Sequence, residues 1–577
     1  MPPDASTSVT RHADRPVSGA NKAQQNEAQQ NQVRQVTEGQ VVEGHGGDLA
    51  LAALRRYGVE ELFTLSGAHV FPLYDALHTS GLPIHDVRHE ATAVFAAEAT
   101  SKLQRRPAVA ALTAGPGVTN GISAVTTARF NGSPVMVIGG RAPQYRWGSG
   151  SLQEIDHVPI LASITKHAAT STSVEAIPAD VDRALQAALT GHRGPVFLDI
   201  PMDVIFSRAE VPAPSGNPPS RPEPDPEFVA EAARVLAEAQ RPVVLVGTDV
   251  YADGAWNELA EAARALRVPV FANGMGRGCL AADDELSFAR ARRTAFQQAD
   301  VIAVVGTPLD FRLAFGDFGA ARVVHIVDDE SQHAAHLKAS VRVSGDLRSV
   351  LSGLAQYSGT RADHEPWLIT LREAETAART KEGATLGADS DPIQPSRVYG
   401  ELRKVLDRDA VVICDGGDFV SYAGKYLDSY TPGCWLDPGP YGCLGTSMGY
   451  AMGARLSRPS SQVCVVLGDG AAGFSLMDAE SLVRQKLPVV IVVGNNGIWG
   501  LEKHPMQQLY GYDVAADLQP GLKYDQVVSA LGGAGETVTE ADGIAPALVR
   551  AFDADVPYVV NVLTDPTDAY PRSSSLA

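Results

Sequence analysis

The sequence predicts an α/β protein with three doubly wound parallel-sheet domains, and two observations lead to this fold class. From Gly44 onward, short runs rich in Val and Ile alternate with Ala- and Leu-rich segments of helical length. Strands of a parallel sheet are buried on both faces and therefore apolar throughout, so the alternation indicates sheets covered by helices. Two stretches, residues 211–226 and 359–394, interrupt the alternation and divide the 577 residues into blocks of domain size.

The first block, residues 45–210, contains five candidate strands and helix-like segments at Asp48–Arg56 and Ala91–Leu103. Its strands are predicted at Leu62–Leu65, Ile84–Val87, Val109–Leu112, Val135–Ile138 and Val196–Ile200. The segment that follows reads PAPSGNPPSRPEPDP, which is too rich in proline for a helix or a strand. We therefore expect a linker over 211–226.

Two further blocks repeat the pattern, a central one over 227–358 and a last one over 395–577. In the central block, strands are predicted at Pro242–Val246, Val268–Phe271, Val301–Val305 and Val323–Val327. In the last block, they are predicted at Val411–Cys414, Val463–Leu467, Val489–Val493 and Tyr558–Val562. The charged segment over 359–394 is expected to be a second linker, and the tail after Thr564 is expected to be a mobile lid.

The amino-acid composition argues against several functional classes of protein. The formal net charge is −19 without a basic tract, which argues against a nucleic acid as the partner. No apolar run reaches the roughly 20 residues that cross a bilayer, so no membrane span is expected. Five cysteines without a CxxC pair fit the reduced thiols of a cytoplasmic protein. Residues 1–44 have few large apolar residues and are expected to form a disordered leader.

The strongest local motif lies in the last block. The predicted strand Val463–Leu467 runs into Gly468-Asp469-Gly470, and the next strand, Val489–Val493, runs into Gly494-Asn495-Asn496. One βαβ unit brings the ends of both strands to the same edge of the sheet. Asp469 and Asn496 then offer the oxygen ligands that Mg²⁺ prefers, and the glycines let backbone N–H groups approach a diphosphate. An ordinary glycine-rich turn is the alternative.

A second motif lies in the first block, where Arg88-His89-Glu90 is followed by Thr113-Ala114-Gly115-Pro116-Gly117-Val118-Thr119-Asn120. Together with the GDG…NN motif, this pattern resembles thiamine-diphosphate (ThDP) enzymes of the acetolactate synthase large subunit and 2-hydroxyacyl-CoA lyase (oxalyl-CoA decarboxylase-like) family. The resemblance covers all but the leader, and within it the run GNNGIWGLEKHPM looks most like an actinobacterial type.

The resemblance implies a role for individual side chains. Glu90 would hydrogen-bond the aminopyrimidine of ThDP, Gln153 would face the reacting carbon, and Leu444 would wedge under the thiazolium. Mg²⁺ would take Asp469, Asn496 and the backbone carbonyl of Ile498. The remaining implied cofactor contacts are Gly417, Asp418, Phe419, Gly468, Gly470, Ala471, Ala472 and Trp499. Alternatively, Glu90 is only an acid at a helix N-terminus, and Leu444 is only part of the core.

The reaction is left open between two candidates. The preferred one is a 2-hydroxyacyl-CoA lyase that releases formyl-CoA and a ketone or aldehyde, because NGIW resembles a motif of those enzymes and no tryptophan follows where synthases carry one. Glu502 is then the candidate base for the 2-hydroxyl proton, unless it merely pairs with Lys503 or lies in solvent. The alternative is an acetolactate synthase-type condensation of 2-oxo acids. A non-catalytic regulator with this fold is disfavoured because Glu90, Asp469 and Asn496 are all present.

The same resemblance implies partners for the chain. ThDP would bind between the first domain of one subunit and the last domain of another, so a homodimer or homotetramer is expected. The central domain lacks a GxGxxG turn. It could bind ADP, CoA or FAD near Arg277 and Arg312, or bind nothing, and either arginine could instead form an ion pair.

Overall fold

The computed structural model describes residues 39–214 and 216–570, which fold into three α/β domains with one parallel sheet each. Most of the predicted leader lies outside these residues. No helix in the described part of the chain has the length and apolarity that would let it span a bilayer.

The N-terminal domain has a six-stranded parallel sheet in the order β3-β2-β4-β5-β7-β6 and a separate antiparallel pair, β1 with β8. Its strands are β1 (Val41–His45), β2 (Leu62–Thr64), β3 (Ile84–Asp86), β4 (Ala108–Leu112), β5 (Val135–Arg141), β6 (Ala168–Thr170), β7 (Val196–Pro201) and β8 (Arg208–Pro212). Its helices are α1 (Gly46–Arg56), α2 (Phe71–Thr79), α3 (Glu90–Gln104), α4 (Pro116–Asn120), α5 (Ile122–Phe130), α6 (Val158–Leu161), α7 (Ile177–Leu189) and α8 (Met202–Phe206).

The central domain has a five-stranded parallel sheet in the order β10-β9-β11-β12-β13. Its strands are β9 (Pro242–Val246), β10 (Val270–Ala272), β11 (Val301–Val305), β12 (Arg322–Val327) and β13 (Val341–Ser344). Its helices are α9 (Pro226–Glu238), α10 (Thr248–Ala252), α11 (Trp256–Leu266), α12 (Arg292–Gln298) and α13 (Leu347–Ala355), and the long α14 (Glu365–Leu386) follows them.

The C-terminal domain has a six-stranded parallel sheet in the order β15-β14-β16-β17-β19-β18. Its strands are β14 (Val411–Asp415), β15 (Trp435–Leu436), β16 (Val463–Gly468), β17 (Val490–Asn495), β18 (Ala534–Val538) and β19 (Tyr558–Leu563). Its helices are α15 (Pro395–Val405), α16 (Gly417–Tyr426), α17 (Ser447–Ser457), α18 (Asp469–Ser475), α19 (Ala479–Arg484), α20 (Gly500–Tyr510), α21 (Tyr524–Ala530) and α22 (Ile544–Phe552). The predicted fold class is confirmed.

The predicted linker over 359–394 needs a correction, because it contains the 22-residue helix α14. Trp367, Leu368 and Leu371 lie on one face of this helix and are buried. The Trp367 indole also donates to the carbonyl of Pro242 at the start of β9. The segment resembled a linker in the sequence because many of its residues are charged. The apolar face of the helix nevertheless packs on the central domain.

The boundaries of the N-terminal domain are also wider than predicted. Strand β1 begins at Val41, inside the predicted leader, and β8 ends at Pro212, inside the predicted linker 211–226. Their backbones pair from Val41 with Pro212 to His45 with Arg208. Such a two-stranded ribbon is short and half exposed, so it lacks the apolar run that marks the other strands.

Helix α3 of the N-terminal domain packs directly on α17 of the C-terminal domain. A Cβ atom on Gly449 would lie 2.5 Å from Cβ of Phe95, and one on Gly453 would lie 2.6 Å from the carbonyl oxygen of Ala96. Glycine therefore lets the two backbones approach closely. In the same contact, the fully buried Glu98 accepts a hydrogen bond from the Tyr450 hydroxyl at 2.9 Å. These contacts fix the position of α3, whose first residue is Glu90.

Candidate active site

A pocket opens at the carboxyl ends of β14, β16 and β17, the edge at which open α/β sheets bind ligands. It contains nearly all of the C-terminal residues that the sequence singled out; Ala472 alone of that set is not in its wall. The lining residues are Gly416, Gly417, Asp418, Phe419, Leu444, Gly468, Asp469, Gly470, Ala471, Gly494, Asn496, Ile498, Trp499, Gly500, Leu501 and Glu502.

Asp469 is the first residue of α18 and is only 3% exposed. Its carboxylate accepts the backbone N–H groups of Gly470 at 3.0 Å and Gly497 at 2.6 Å. Burial raises the pKa of Asp469 to about 6, and these hydrogen bonds oppose the rise. A cation beside the carboxylate would favour its charged form. The site therefore suits a metal ion chemically.

The loop that follows β17 is held in place by hydrogen bonds to a later segment of the chain. Gly497 has a left-handed φ of +70°, and its carbonyl accepts the N–H of Leu518. The N–H of Trp499 donates to the carbonyl of Ala516 at 2.8 Å, and the Asn496 amide oxygen accepts the N–H of Ile498 at 3.2 Å. The segment that contains Ala516 and Leu518 thus braces the loop that carries Asn496 and Ile498.

Glycine is required at position 470 because an aromatic ring covers it. A Cβ atom there would lie 2.4 Å from the ring of Trp499. The Phe474 ring stands nearly perpendicular to that indole, with 6.5 Å between centroids, and Phe474 is 61% exposed. Trp499 therefore forms one wall of the pocket, next to an apolar surface.

Leu444 lies across the pocket, where its Cδ2 is 2.3 Å from the position that a Cβ on Gly416 would occupy. Leu444 is half-buried and packs against the core from the pocket wall. This placement is compatible with the predicted wedge and with core packing, so the wedge role stays a prediction.

Asp415 organises the turn that carries Leu444, a role that the sequence did not indicate. It ends β14, is fully buried, and accepts the N–H groups of Gly445 at 3.1 Å and Ser447 at 2.9 Å. Burial raises the pKa of Asp415 to about 6. An acid that follows a buried strand and precedes Gly416-Gly417 was the available signal.

Glu90 begins α3 at the carboxyl edge of the N-terminal sheet, just after β3. It is 7% exposed, and its carboxylate accepts the side-chain amide of Asn120 at 3.0 Å. On the same segment, Asp478 of the C-terminal domain accepts the Arg88 N–H and the Thr92 hydroxyl, both at 2.6 Å. Glu90 is therefore rigidly placed by both domains.

Gln153 lies at the same sheet edge in the long connection after β5. It has a left-handed φ of +61°, a conformation that costs free energy for a residue with a side chain. A Cβ on Gly115 would lie 2.9 Å from Cβ of Gln153, so the two segments touch. Its neighbour Leu152 is 80% exposed.

Neither Glu90 nor Gln153 lines the C-terminal pocket. Within one chain, the structure therefore provides two separate half-sites, one at the edge of the N-terminal sheet and one at the edge of the C-terminal sheet.

Glu502 lies in the first turn of α20 at the mouth of the pocket. Its side chain is exposed, whereas the neighbouring Lys503 pairs with Asp513 and Asp517 at 2.9 and 2.6 Å. Glu502 therefore lies beside the site, and its role as a base stays a prediction.

The two arginines predicted near a nucleotide both have partners in the chain. Arg277 donates to the carbonyl of Gly424 and lies over the Trp435 ring at 4.6 Å. Arg312 pairs with Asp310 at 2.7 Å. The carboxyl edge of the central sheet also carries Asp328, which adds negative charge. These surroundings give no support to a phosphate role for either arginine.

Family models for three consecutive domains match the chain: the N-terminal TPP binding domain of thiamine pyrophosphate enzymes at residues 44–160, their central domain at 229–354, and their C-terminal TPP binding domain at 415–562. Each match lies within one of the three observed domains. The fold and the site define a ThDP-dependent enzyme, and the chain belongs to the thiamine pyrophosphate enzyme family.

Relatives that carry two different names can be aligned with nearly the whole length of this chain. The acetolactate synthase large subunit IlvG of Mycobacterium tuberculosis is 50% identical over 541 residues, which cover 92% of this chain and 98% of the relative. The 2-hydroxyacyl-CoA lyase 2 of Caenorhabditis elegans is 33% identical over 91% of this chain and 90% of the relative. The human 2-hydroxyacyl-CoA lyase 2 is 32% identical over 92% of both chains.

Proposed function

We propose that the C-terminal pocket holds ThDP through Mg²⁺ bound by Asp469, Asn496 and the Ile498 carbonyl. The support is the donor set: one desolvated carboxylate and two neutral oxygens at the ends of adjacent parallel strands. Gly417 and Gly468 leave open space around them, since a Cβ on Gly417 would meet no atom within 4 Å. That space suits a bulky diphosphate.

We further propose that the acid which acts on the aminopyrimidine comes from a second copy of the chain. Glu90 is separate from the pocket of its own chain, and both half-sites carry exposed apolar side chains. On the N-terminal edge these are Phe71, Tyr145, Trp147, Leu152, Ile155 and Phe206, and around the C-terminal pocket they are Phe474, Met477, Leu509, Tyr510, Tyr512 and Val514. Large apolar surfaces of this kind are typical of interfaces between subunits.

Bound ThDP supplies a nucleophilic carbon and an electron sink for the bond next to a carbonyl group. The residues of the chain position it and move protons. Glu90 would exchange a proton with the aminopyrimidine, while Asn120 holds the Glu90 carboxylate at 3.0 Å. Gln153, held in its unusual backbone conformation, would orient the substrate carbonyl.

For the reaction itself, we propose an acetolactate synthase-type condensation of 2-oxo acids. The relative at 50% identity is named an acetolactate synthase, whereas the lyases share 32–33% of their residues with this chain. These identities favour the condensation over the lyase preferred from the sequence motifs. The lyase remains the second candidate because Glu502, the carboxylate proposed as its base, lies at the pocket mouth.

The direct test compares two substrates with one preparation of enzyme, ThDP and Mg²⁺. We expect pyruvate to give acetolactate and a 2-hydroxyacyl-CoA to remain intact. Formyl-CoA from the thioester, without acetolactate from pyruvate, would reverse the ranking. If calorimetry shows that the protein does not bind ThDP in saturating Mg²⁺, both candidates are wrong.

A further inference from the structure

His69 is a buried histidine at the N-terminal half-site, and the proposed reaction assigns it no role. It lies between β2 and α2, at the carboxyl edge of the sheet that also carries Glu90 and Gln153. It is 7% exposed, and its Nδ1 is 2.9 Å from the Thr113 hydroxyl. A Cβ on Gly140, in β5, would lie 2.3 Å from Cβ of His69, so the backbone of β5 packs against it.

One polar atom of this ring remains available. Within residues 39–214 and 216–570, no group hydrogen-bonds the Nε2 atom of His69. Burial, with a further contribution from His157, lowers the pKa of His69 below its usual value. The ring is therefore neutral at pH 7, and Nε2 can donate or accept one hydrogen bond according to the tautomer.

The segment 113–120 connects His69 to the predicted catalytic residues. It begins at Thr113, which holds the His69 ring, and continues to Gly115, which packs against Gln153. It ends at Asn120, which donates to Glu90. One short segment thus fixes the positions of His69, Gln153 and Glu90 relative to one another.

We propose that His69 is a further substrate-contacting residue, which hydrogen-bonds an oxygen of the bound 2-oxo or 2-hydroxyacyl substrate through Nε2. This assignment rests on the proposed function, because it requires the substrate to lie over the N-terminal half-site. The fixed Nδ1, the available Nε2 and the position on the ligand-binding edge of the sheet support it. The sequence reasoning passed over His69 because no motif marked it.

The test compares three variants in the full-length protein with ThDP and Mg²⁺. His69→Asn keeps an amide near the Nδ1 position and loses the polar atom at Nε2, whereas His69→Gln places its amide near Nε2. Thr113→Val removes the partner of Nδ1 and leaves the imidazole in place. We expect His69→Asn to lower kcat/KM at least about tenfold more than Thr113→Val, as loss of one hydrogen bond to substrate predicts. His69→Gln should recover part of that loss.

Three outcomes would overturn the proposal. Equal losses in His69→Asn and Thr113→Val would show that His69 only braces the loop, and kcat/KM within about twofold of wild type in His69→Asn would show no role. Exchange of the ThDP C2 proton in deuterated water, measured without substrate, should be unchanged in His69→Asn. A matching loss of this exchange would place His69 in cofactor activation and contradict a substrate contact.

Failure of this proposal is distinguishable from failure of the proposed function. The latter shows in the wild-type protein, as absence of ThDP binding or of turnover. The former requires an active wild type and variants that bind ThDP with the wild-type affinity, which also shows that they fold.

Discussion

The two half-sites of this chain differ in how complete they are. The C-terminal half is a walled pocket in which Asp469 and Leu444 are held by their own domain. The N-terminal half is a sheet edge, where Glu90 is fixed in place but does not line the C-terminal pocket of its own chain. This difference fits the proposed function, in which one domain binds the diphosphate end of the cofactor and the other supplies Glu90 to a second copy of the chain.

Replacing Asp469, the proposed metal ligand, should have the largest effect because it would impair both cofactor binding and turnover. Asp469→Asn loses the charge that balances a divalent cation, and we expect ThDP affinity in Mg²⁺ to fall at least about 100-fold, with activity lost in parallel. Isothermal titration calorimetry measures this. Asp555→Asn, an exposed site on the same domain, is the matched control. Wild-type affinity in Asp469→Asn would show that the metal binds elsewhere.

The N-terminal half-site should behave differently. Glu90→Gln removes the acid but keeps an amide that can contact Asn120, so ThDP should still bind while kcat falls about 10²–10⁴-fold. Steady-state kinetics and calorimetry on the same preparation separate these two quantities. If the variant loses ThDP affinity and keeps kcat at saturation, Glu90 serves binding rather than proton transfer.

Replacement of Glu502 distinguishes between the two candidate reactions. If the chain cleaves 2-hydroxyacyl-CoA substrates, Glu502→Gln should lower cleavage at least about 30-fold without loss of ThDP affinity, because the carboxylate would be the base. For a condensation of 2-oxo acids, the same variant should keep most of its rate. Cleavage that survives at more than a few per cent would exclude Glu502 as the base.

A smaller effect on ThDP affinity is expected when Leu444, the predicted wedge under the thiazolium, is shortened. Leu444→Ala opens space over Gly416, and we expect ThDP affinity to fall about tenfold from loss of one apolar contact with the cofactor. Ile369→Ala, an exposed apolar site on α14, is the control. Unchanged ThDP affinity with a lower melting temperature would mean that Leu444 belongs to the core alone.

The sequence predicted the main strands well because they are apolar on both faces. Every predicted strand is present, including Val463–Leu467 and Val301–Val305, within three residues at each end. The missed strands are short or at an edge, such as β15 with two residues and the ribbon of β1 and β8, where no apolar run develops.

Residues of the candidate site could be predicted from the sequence only where they belong to a recognisable motif. Asp469, Asn496 and Trp499 lie in the pocket that the GDG…NN spacing indicates. The role of Asp415 in holding Gly445 and the position of His69 beside Thr113 depend on contacts between segments distant in sequence. Such contacts leave no periodic signal in a single chain, so only the folded structure reveals them.

The central claim is that one active site joins Glu90 of one chain to Asp469 of another, and mixing two inactive variants tests it most directly. Glu90→Gln and Asp469→Asn chains, co-expressed in equal amounts with different tags, should form mixed dimers with one intact site each. We expect about one quarter of the wild-type activity for the statistical mixture, and about one half for the purified mixed dimer. Activity in the mixed dimer no higher than in either variant alone would contradict it.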